Sequence, residues 1–167
     1  MLSYTGDDEL LLSAKSGPTQ SSYLPKMKIR TAATEDLERI VHLFGQLGYS
    51  TEPDQVEKQL HALRCGSLGQ AFVAEDRGST VGVAIVHIMK PLHVEGSWAL
   101  LSALVVDDKC RSSGVGAHLL TAAERFATQH GCSQIELSSS TARTRAHMFY
   151  ERNGYKEKRM RFVKFLL

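Results

Sequence analysis

The sequence predicts one α/β domain of the mixed α+β type, with a mixed sheet and helices on both faces. Three observations predict it. The length of 167 residues suits one domain. A hydrophobic fraction of 43% supplies a core. The spacing of apolar residues switches between periods of 2 and 3.6, in the order β-α-α-β-β-β-α-β-α-β.

The first 26 residues show neither period. They are rich in Ser, Thr, Gly and Asp, and they include Pro18 and Pro25. We therefore expect 1–26 to be a poorly ordered extension and 27–167 to form the folded domain.

The first half of the domain predicts a strand, two helices and a hairpin. Thr34 is a suitable N-cap for the first helix, and Gly48 is a suitable end for it. A turn-forming segment at 76–79 separates the two strands of the hairpin. The predicted bounds are 29–32 for the strand, about 34–47 and 54–63 for the helices, and 71–75 and 81–89 for the hairpin strands.

The second half predicts a central strand followed by a helix, a strand, a helix and a last strand. The central strand is predicted at 97–107 and is apolar nearly throughout from Trp98 to Val106, which indicates burial on both faces of the sheet. The remaining predicted bounds are 114–130 for a helix, 134–138 for a strand, 142–152 for a helix and 155–165 for the last strand.

The turn from the central strand into the next helix has the composition of a pyrophosphate site. A helix N-terminus offers unpaired N–H groups and a partial positive charge. Gly114 and Gly116 let the backbone approach an anion, and Arg111, Ser112 and Ser113 add donors. The GxxxxGK[ST] loop and the GxGxxG fingerprint both fail to match here. Taken alone, this turn also fits a strand–helix connection that binds nothing.

A second motif, one helix and one strand further on, decides between these interpretations. Residues 146–155 read Ala-His-Met-Phe-Tyr-Glu-Arg-Asn-Gly-Tyr, and residues 111–116 read Arg-Ser-Ser-Gly-Val-Gly. The pair resembles the two signatures of the GNAT N-acetyltransferase superfamily, and Leu-Val-Val-Asp at 104–107 resembles the strand before its cradle. The resemblance covers about residues 28–165 and implies the GNAT fold of a small, bacterial-type, single-domain member. In that fold, a central and mostly antiparallel sheet of six to seven strands has helices on both faces.

The resemblance implies a V-shaped opening between the strand that ends near Val106 and the strand at 134–139. The pantetheine arm of acetyl-CoA, the cosubstrate, would lie there like an added strand. One departure is Ser112, where the family usually carries Gly; a positive φ would strain this residue. The implied acetyl-CoA contacts are Leu104, Val105, Val106, Arg111, Ser112, Ser113, Gly114, Val115, Gly116, Ala117, Arg143 and His147.

The implied reaction is direct attack of a primary amine on acetyl-CoA within a ternary complex. By resemblance, Tyr150 is the general acid, although it also fits a packing role on its helix. Glu95 is the candidate general base, with His93 behind it. His87 lies in an apolar strand, and such a histidine is more often a hydrogen-bonded core residue.

Two other functions stay open: a non-catalytic acyl-CoA-binding sensor of the same fold and a nucleotide-binding regulatory module. The amine substrate is expected to be a small molecule. A net charge of +2 gives no indication of nucleic-acid binding, and no apolar run approaches the roughly 20 residues that cross a bilayer. Three widely spaced cysteines predict neither a disulfide framework nor a metal site. We expect a cytoplasmic protein, and a homodimer is compatible with this fold.

Overall fold

Five strands form one mixed sheet in a computed structural model that describes residues 27–93, 95–158 and 164. The strand order is β1-β2-β3-β4-β5. Each of the first three pairs of neighbouring strands is antiparallel, and the last pair, β4 with β5, is parallel. The strands are β1 (Lys28–Thr31), β2 (Gly69–Asp76), β3 (Ser79–Met89), β4 (Ser97–Val106) and β5 (Cys132–Leu137).

Four α-helices connect the strands and cover both faces of the sheet, as the sequence predicts. In the described ranges, which lack residue 94 and the two ends of the chain, none of them is long and apolar enough to cross a membrane. The helices are α1 (Leu37–Gln46), α2 (Pro53–Cys65), α3 (Val115–Gln129) and α4 (Thr144–Arg152), with short 3-10 turns at Thr34–Asp36 and Asp108–Cys110.

The alternation of β3 builds a separate core on each face of the sheet, because successive strand side chains point to opposite sides. Ala84 and Val86 pack with α3, whose Leu119 is fully buried. Val83 packs on the other face with α1, whose Leu43 is fully buried. β4 lies between β3 and β5, so the prediction of a central strand is confirmed.

The predicted strand at 155–165 is wrong over its first residues. Residues 155–158 form no strand; the Tyr155 N–H instead donates to the Tyr150 carbonyl at the end of α4. The Tyr155 hydroxyl donates to Glu124 of α3 at 3.0 Å, which directs the chain toward that helix. The rest of the predicted strand, apart from residue 164, and the extension 1–26 lie outside the described residues.

Thr34 is not the N-cap of α1. It begins a 3-10 turn instead, and the carboxylate of Asp36 accepts the N–H of Ala33 at 2.8 Å. Asp36 is only 3% exposed. It also accepts two hydrogen bonds from Arg30, at 2.7 and 3.0 Å, and one from the Thr80 hydroxyl. This network ties the entry of α1 to β1 and β3.

The Asp36 network predicts a loss of stability in acid. Burial alone raises the pKa of Asp36, but the hydrogen bonds from Arg30 and Thr80 outweigh it and hold the pKa below its ordinary value. A lowered folded-state pKa adds stability above the unfolded pKa of about 3.9, and that stability is lost as pH falls through the folded pKa. We expect Asp36→Asn to cost about 2 kcal/mol at pH 7 and to flatten the acid decline.

Urea unfolding between pH 2 and pH 7 measures both effects. Glu35→Gln is the matched control, because Glu35 lies in the same turn with an exposed side chain. Asp107 has a lowered pKa as well, so part of the acid decline should remain in Asp36→Asn. If the stability of Asp36→Asn depended on pH as that of wild type does, Asp36 would not contribute to the loss of stability in acid.

Candidate active site

The central feature of the site is an opening between β4 and β5. Their parallel pairing runs from Ser97 opposite Cys132 to Leu101 opposite Leu137, and the described register contains no pair beyond it. β4 continues to Val106, which still pairs with Gly82 of β3. Residues 102–106 therefore present a backbone edge on the β5 side, in the position that the V-shaped opening was expected to have. Such an edge can bind an extended ligand as an added strand.

A β-bulge marks the point where the two strands part. Val86 pairs with Leu101, whereas Ile85 pairs with Ala103, so Ser102 is the extra residue of β4. A bulge locally bends its strand and redirects its side chains, and bulges are frequent beside active sites. Ser102 thus lies at the closed end of the opening.

Asp107 fixes the direction in which the chain leaves β4. Its carboxylate accepts the N–H of Lys109 at 3.0 Å and a hydrogen bond from Arg39 of α1 at 2.8 Å. Arg39 also donates to the Thr80 carbonyl at 3.0 Å. The bond from Lys109, followed by that from Arg39, holds the pKa of Asp107 below its ordinary value. Asp107 belongs to the motif at 104–107, but no sequence pattern marks its distant partner Arg39.

The turn into α3, which is the predicted anion cradle, contains two left-handed residues. Gly114 precedes α3 with φ +84°, in the left-handed region that glycine tolerates. Backbone strain was expected at Ser112 if its φ were positive, and its φ is +67°. Gly116 has a packing role: a Cβ there would lie 3.3 Å from Cζ of Phe149 on α4.

Several predicted phosphate donors also stabilise the turn itself. Arg111 forms an ion pair with Asp108. The Ser113 hydroxyl donates to the Cys110 carbonyl at 2.5 Å. The first backbone N–H groups of α3 are the donors that a helix N-terminus leaves for an anion. Val115 is buried in the core and Ala117 is half-buried in this first turn, so both can contribute only backbone groups to a phosphate.

Ser112→Gly should stabilise the protein. A left-handed conformation costs a non-glycine residue roughly 1–2 kcal/mol, whereas glycine loses roughly 0.5–1 kcal/mol of extra chain entropy on folding. We expect a net gain of about 0.5–1 kcal/mol, which corresponds to a rise of about 2 °C in Tm. Thermal unfolding measures it. Ser113→Gly is the control and should lower Tm, because Ser113 lacks a positive φ and loses its hydrogen bond. A lower Tm for Ser112→Gly would contradict the argument.

The predicted side chains of α4 hold this helix against its neighbours. Arg143 donates to the Leu47 carbonyl at the end of α1, at 2.9 Å. His147 Nε2 lies 3.0 Å from the Ser140 carbonyl, which accepts its N–H. With Phe149 packed on Gly116, α4 is attached to both the α1–α2 connection and the first turn of α3.

Tyr150 lies on the α3 side of the sheet, half-buried next to Phe149. Their ring centroids are 5.3 Å apart, and the centroid of Tyr155 lies 5.7 Å from that of Tyr150. Burial raises the pKa of Tyr150, and the charge of Arg143 partly opposes that rise. The phenol therefore keeps its proton at neutral and moderately alkaline pH, as a general acid must.

The structure does not bring Glu95 to the opening. Glu95 is exposed and lies two residues before β4 begins at Ser97. From Ser97 to Ser102 the strand rises by roughly 17 Å, at about 3.3 Å per residue. Glu95 thus lies beyond the opposite end of β4 from the cradle.

A cavity of about 480 Å³ lies on the α1–α2 face of the sheet. Its wall is mainly apolar, and it includes His87 of β3 and Ser102 at the bulge. His87 Nε2 and Ser102 Oγ are 2.9 Å apart. The sequence prediction treated His87 as a core residue and did not single out Ser102, because pairing across 15 residues requires the register of β3 and β4. His87 is half-buried and faces this cavity.

Comparison with known proteins agrees with the geometry. The sequence model of the Acetyltransferase (GNAT) family matches residues 34–155. The chain is 31% identical over 150 residues to an aminoalkylphosphonate N-acetyltransferase of Salmonella typhimurium, a match covering 86% of this chain and 94% of that protein.

Solved structures share the fold. A transcriptional regulator from Bacillus halodurans superposes with a TM-score of 0.76 at 23% identity, over 84% of this chain and 99% of that one. An aminoglycoside N-acetyltransferase in complex with CoA superposes with a TM-score of 0.74 at 24% identity, over 83% of this chain and 94% of that one.

The mixed sheet, the open β4 edge and the turn into α3 define an acyltransferase fold. The chain belongs to the acetyltransferase (GNAT) family. It is an enzyme of the N-acetyltransferase class, whose members use acetyl-CoA to acetylate an amine.

Proposed function

We propose that this chain transfers the acetyl group of acetyl-CoA to a small primary amine by direct attack in a ternary complex. The parting of β4 from β5, next to a left-handed turn at the start of α3, is the observation that carries the proposal. The two features lie at the same end of β4, so one extended molecule with a diphosphate can contact both.

The proposed acetyl-CoA site combines a backbone edge with an anion cradle. Peptide groups of 104–106 bind the pantetheine arm, and the pyrophosphate lies on the turn 111–117. Arg143 and His147 border the site from α4. Their present hydrogen bonds leave further guanidinium donors on Arg143, which has five in all.

Tyr150 is the proposed general acid. The leaving thiolate of CoA needs a proton, and a thiol resembling cysteine has a pKa near 8.5. A positioned phenol with a pKa near 10 or above can supply that proton as the carbon–sulfur bond breaks. Glu95 was the sequence candidate for the base, but its distance along β4 removes the support for that role.

A small amine is the proposed substrate, and an aminoalkylphosphonate is the first candidate to test. The support is the identity to the Salmonella relative over nearly all of both chains. The cavity on the α1–α2 face has the size of a small-molecule site, since such sites span roughly 300–1,000 Å³.

A panel assay that follows free CoA thiol tests the proposal. The panel contains 2-aminoethylphosphonate, glucosamine 6-phosphate, an aminoglycoside and a lysine-containing peptide, each with acetyl-CoA. We expect the highest turnover with a small amine. Acetyl-CoA binding by calorimetry without turnover of any amine would favour the acyl-CoA sensor instead. No binding of acetyl-CoA would reject the proposal.

The proposal extends to a cytoplasmic location, and a homodimer is the oligomeric state to test. Dimers are common among such folds, and light scattering of the purified protein tests the oligomeric state.

A further inference from the structure

His87 and Ser102 form a polar pair at the closed end of the β4–β5 opening. Their ring nitrogen and hydroxyl oxygen are 2.9 Å apart. Ser102 is the first β4 residue beyond the last described pair with β5, and the bulge places it out of register with β3. The pair therefore lies where the two strands part.

The proposed pantetheine arm directs its thioester toward this pair. If the pyrophosphate lies at the start of α3, the arm runs back along β4 from Val106. It can extend only to where β5 closes the opening, at Leu101 and Leu137. The reactive end of the arm therefore lies near Ser102, at the inner limit of the opening.

The cavity on the α1–α2 face reaches the same point. Ser102 and His87 are part of its wall, whereas Tyr150 packs with the core on the opposite face of the sheet. An amine in the cavity and the hydroxyl of Tyr150 thus approach the thioester from opposite sides. That arrangement separates the attacking group from the group that protonates the thiolate.

His87 is the one titratable group among the described residues that line the cavity. The groups nearest to it are uncharged on every adjoining element: Gly69 on β2, Leu100 and Ser102 on β4, and Leu63 on α2. Gln59 is the remaining polar side chain of the described wall. An ammonium group that enters the cavity therefore meets a single proton acceptor.

Burial lowers the pKa of His87 below its ordinary value. Its imidazole is therefore neutral at pH 7, and one ring nitrogen carries a lone pair. With the hydrogen on Nδ1, the lone pair of Nε2 faces the Ser102 hydroxyl, which then donates to it.

We infer that the His87–Ser102 pair takes the proton of the amine substrate, in the role that the sequence assigned to Glu95. The inference rests on the proposed function. An amine with a pKa near 10.4 is neutral in only about one molecule in a thousand at pH 7, so a proton acceptor raises the reactive fraction.

The proton transfers balance across the reaction. Ser102 Oγ takes one proton from the ammonium group while its own proton passes to His87 Nε2. The amine nitrogen bonds to the carbonyl carbon, the carbon–sulfur bond breaks, and the thiolate takes the proton of Tyr150. The second surplus proton of the nitrogen passes to solvent, and the Tyr150 oxygen regains a proton from solvent. His87 releases its proton to solvent.

The test compares kcat/KM of wild type and His87→Gln between pH 7 and pH 9. The amine is the panel member with the highest turnover, expected to be 2-aminoethylphosphonate. Without the pair, the enzyme depends on the neutral amine, whose fraction rises tenfold per pH unit. The ratio of wild type to variant should therefore be about 100 at pH 7 and fall about tenfold per unit.

His61→Gln is the matched control, because His61 lies on the exposed side of α2 and its ratio to wild type should stay near 1. A ratio for His87→Gln that is constant with pH indicates a structural role and overturns the inference, while the proposed function stands. Absence of thiol release by wild type with every amine rejects the proposed function itself.

If His87→Gln fails to fold, the pH dependence of kcat/KM of the wild type alone tests the inference. A level kcat/KM from pH 7 to pH 9 supports an enzyme base with a lowered pKa. A tenfold rise per pH unit overturns the inference.

Discussion

Tyr150→Phe is expected to lower kcat by about 100-fold or more and to leave the KM for acetyl-CoA within about twofold. The phenylalanine ring keeps the packing against Phe149 and Tyr155 but removes the proton. General acid catalysis contributes roughly 10²–10⁴-fold, and it acts in the transition state rather than in the bound ground state. Steady-state kinetics at saturating amine separate kcat from KM.

Tyr155→Phe is the control for this experiment. It removes a hydroxyl from the adjacent ring, and with it the hydrogen bond to Glu124. That bond is worth about 1 kcal/mol of stability, so Tm should fall while kcat stays near the wild-type value. Equal losses of kcat in the two variants would show that Tyr150 acts through packing, as an ordinary helix residue.

The pH profile gives a second measurement of the same role. Because burial raises the pKa of Tyr150, the acid stays protonated through the range in which a free tyrosine begins to ionise near pH 10. We therefore expect kcat to hold up to about pH 10 and to decline only above it.

The order of the elements could be predicted from the sequence because most of them carry a complete hydrophobic period. α3 is buried along one continuous stripe and β3 along most of its length, so their local pattern matches their tertiary environment. Residues 155–158 differ: Tyr155 follows α4 closely and turns to Glu124 on α3. That contact depends on the packing of two helices and leaves no local period.

The composition of the turn at 111–116 was predictable for the same reason, whereas the proposed base was not. Residues 111–116 are contiguous, so their composition and the adjoining strand and helix indicate an anion site together. The His87–Ser102 pair arises from a bulge in the register of two strands. A sequence does not show which residue of β4 is the extra one, so Glu95 was the more visible candidate.

Gly82→Ala should destabilise the protein, because this position joins the sheet to the first turns of α3. A Cβ at Gly82 would lie 2.9 Å from Cδ1 of Leu119, 3.0 Å from the Val105 carbonyl oxygen and 3.2 Å from Cγ1 of Val115. The carbonyl belongs to the sheet, and both side chains are buried, so none of the three can move freely.

The sizes of two opposing free-energy changes decide whether Gly82→Ala stabilises or destabilises the protein. Overpacking costs roughly 1–3 kcal/mol, whereas replacing glycine by alanine gains only about 0.4–1 kcal/mol through the unfolded chain. We expect a net loss of about 1–2 kcal/mol, measured by urea unfolding. Acetyl-CoA binding by calorimetry should weaken as well, since Gly82 pairs with Val106 at the end of β4 and a shift of α3 would displace the cradle from that strand.

Gly45→Ala makes the same chemical change in open space. Gly45 lies in α1, and a Cβ there would meet nothing within 4 Å. Alanine should therefore stabilise the protein by about 0.5–1 kcal/mol and leave acetyl-CoA binding unchanged. If Gly82→Ala destabilised the protein and Gly45→Ala stabilised it, the loss at Gly82 would be due to the contact between α3 and the sheet. If Gly82→Ala also stabilised the protein and bound acetyl-CoA normally, then α3 could move away from β3 at little cost, and the cradle would not depend on that contact.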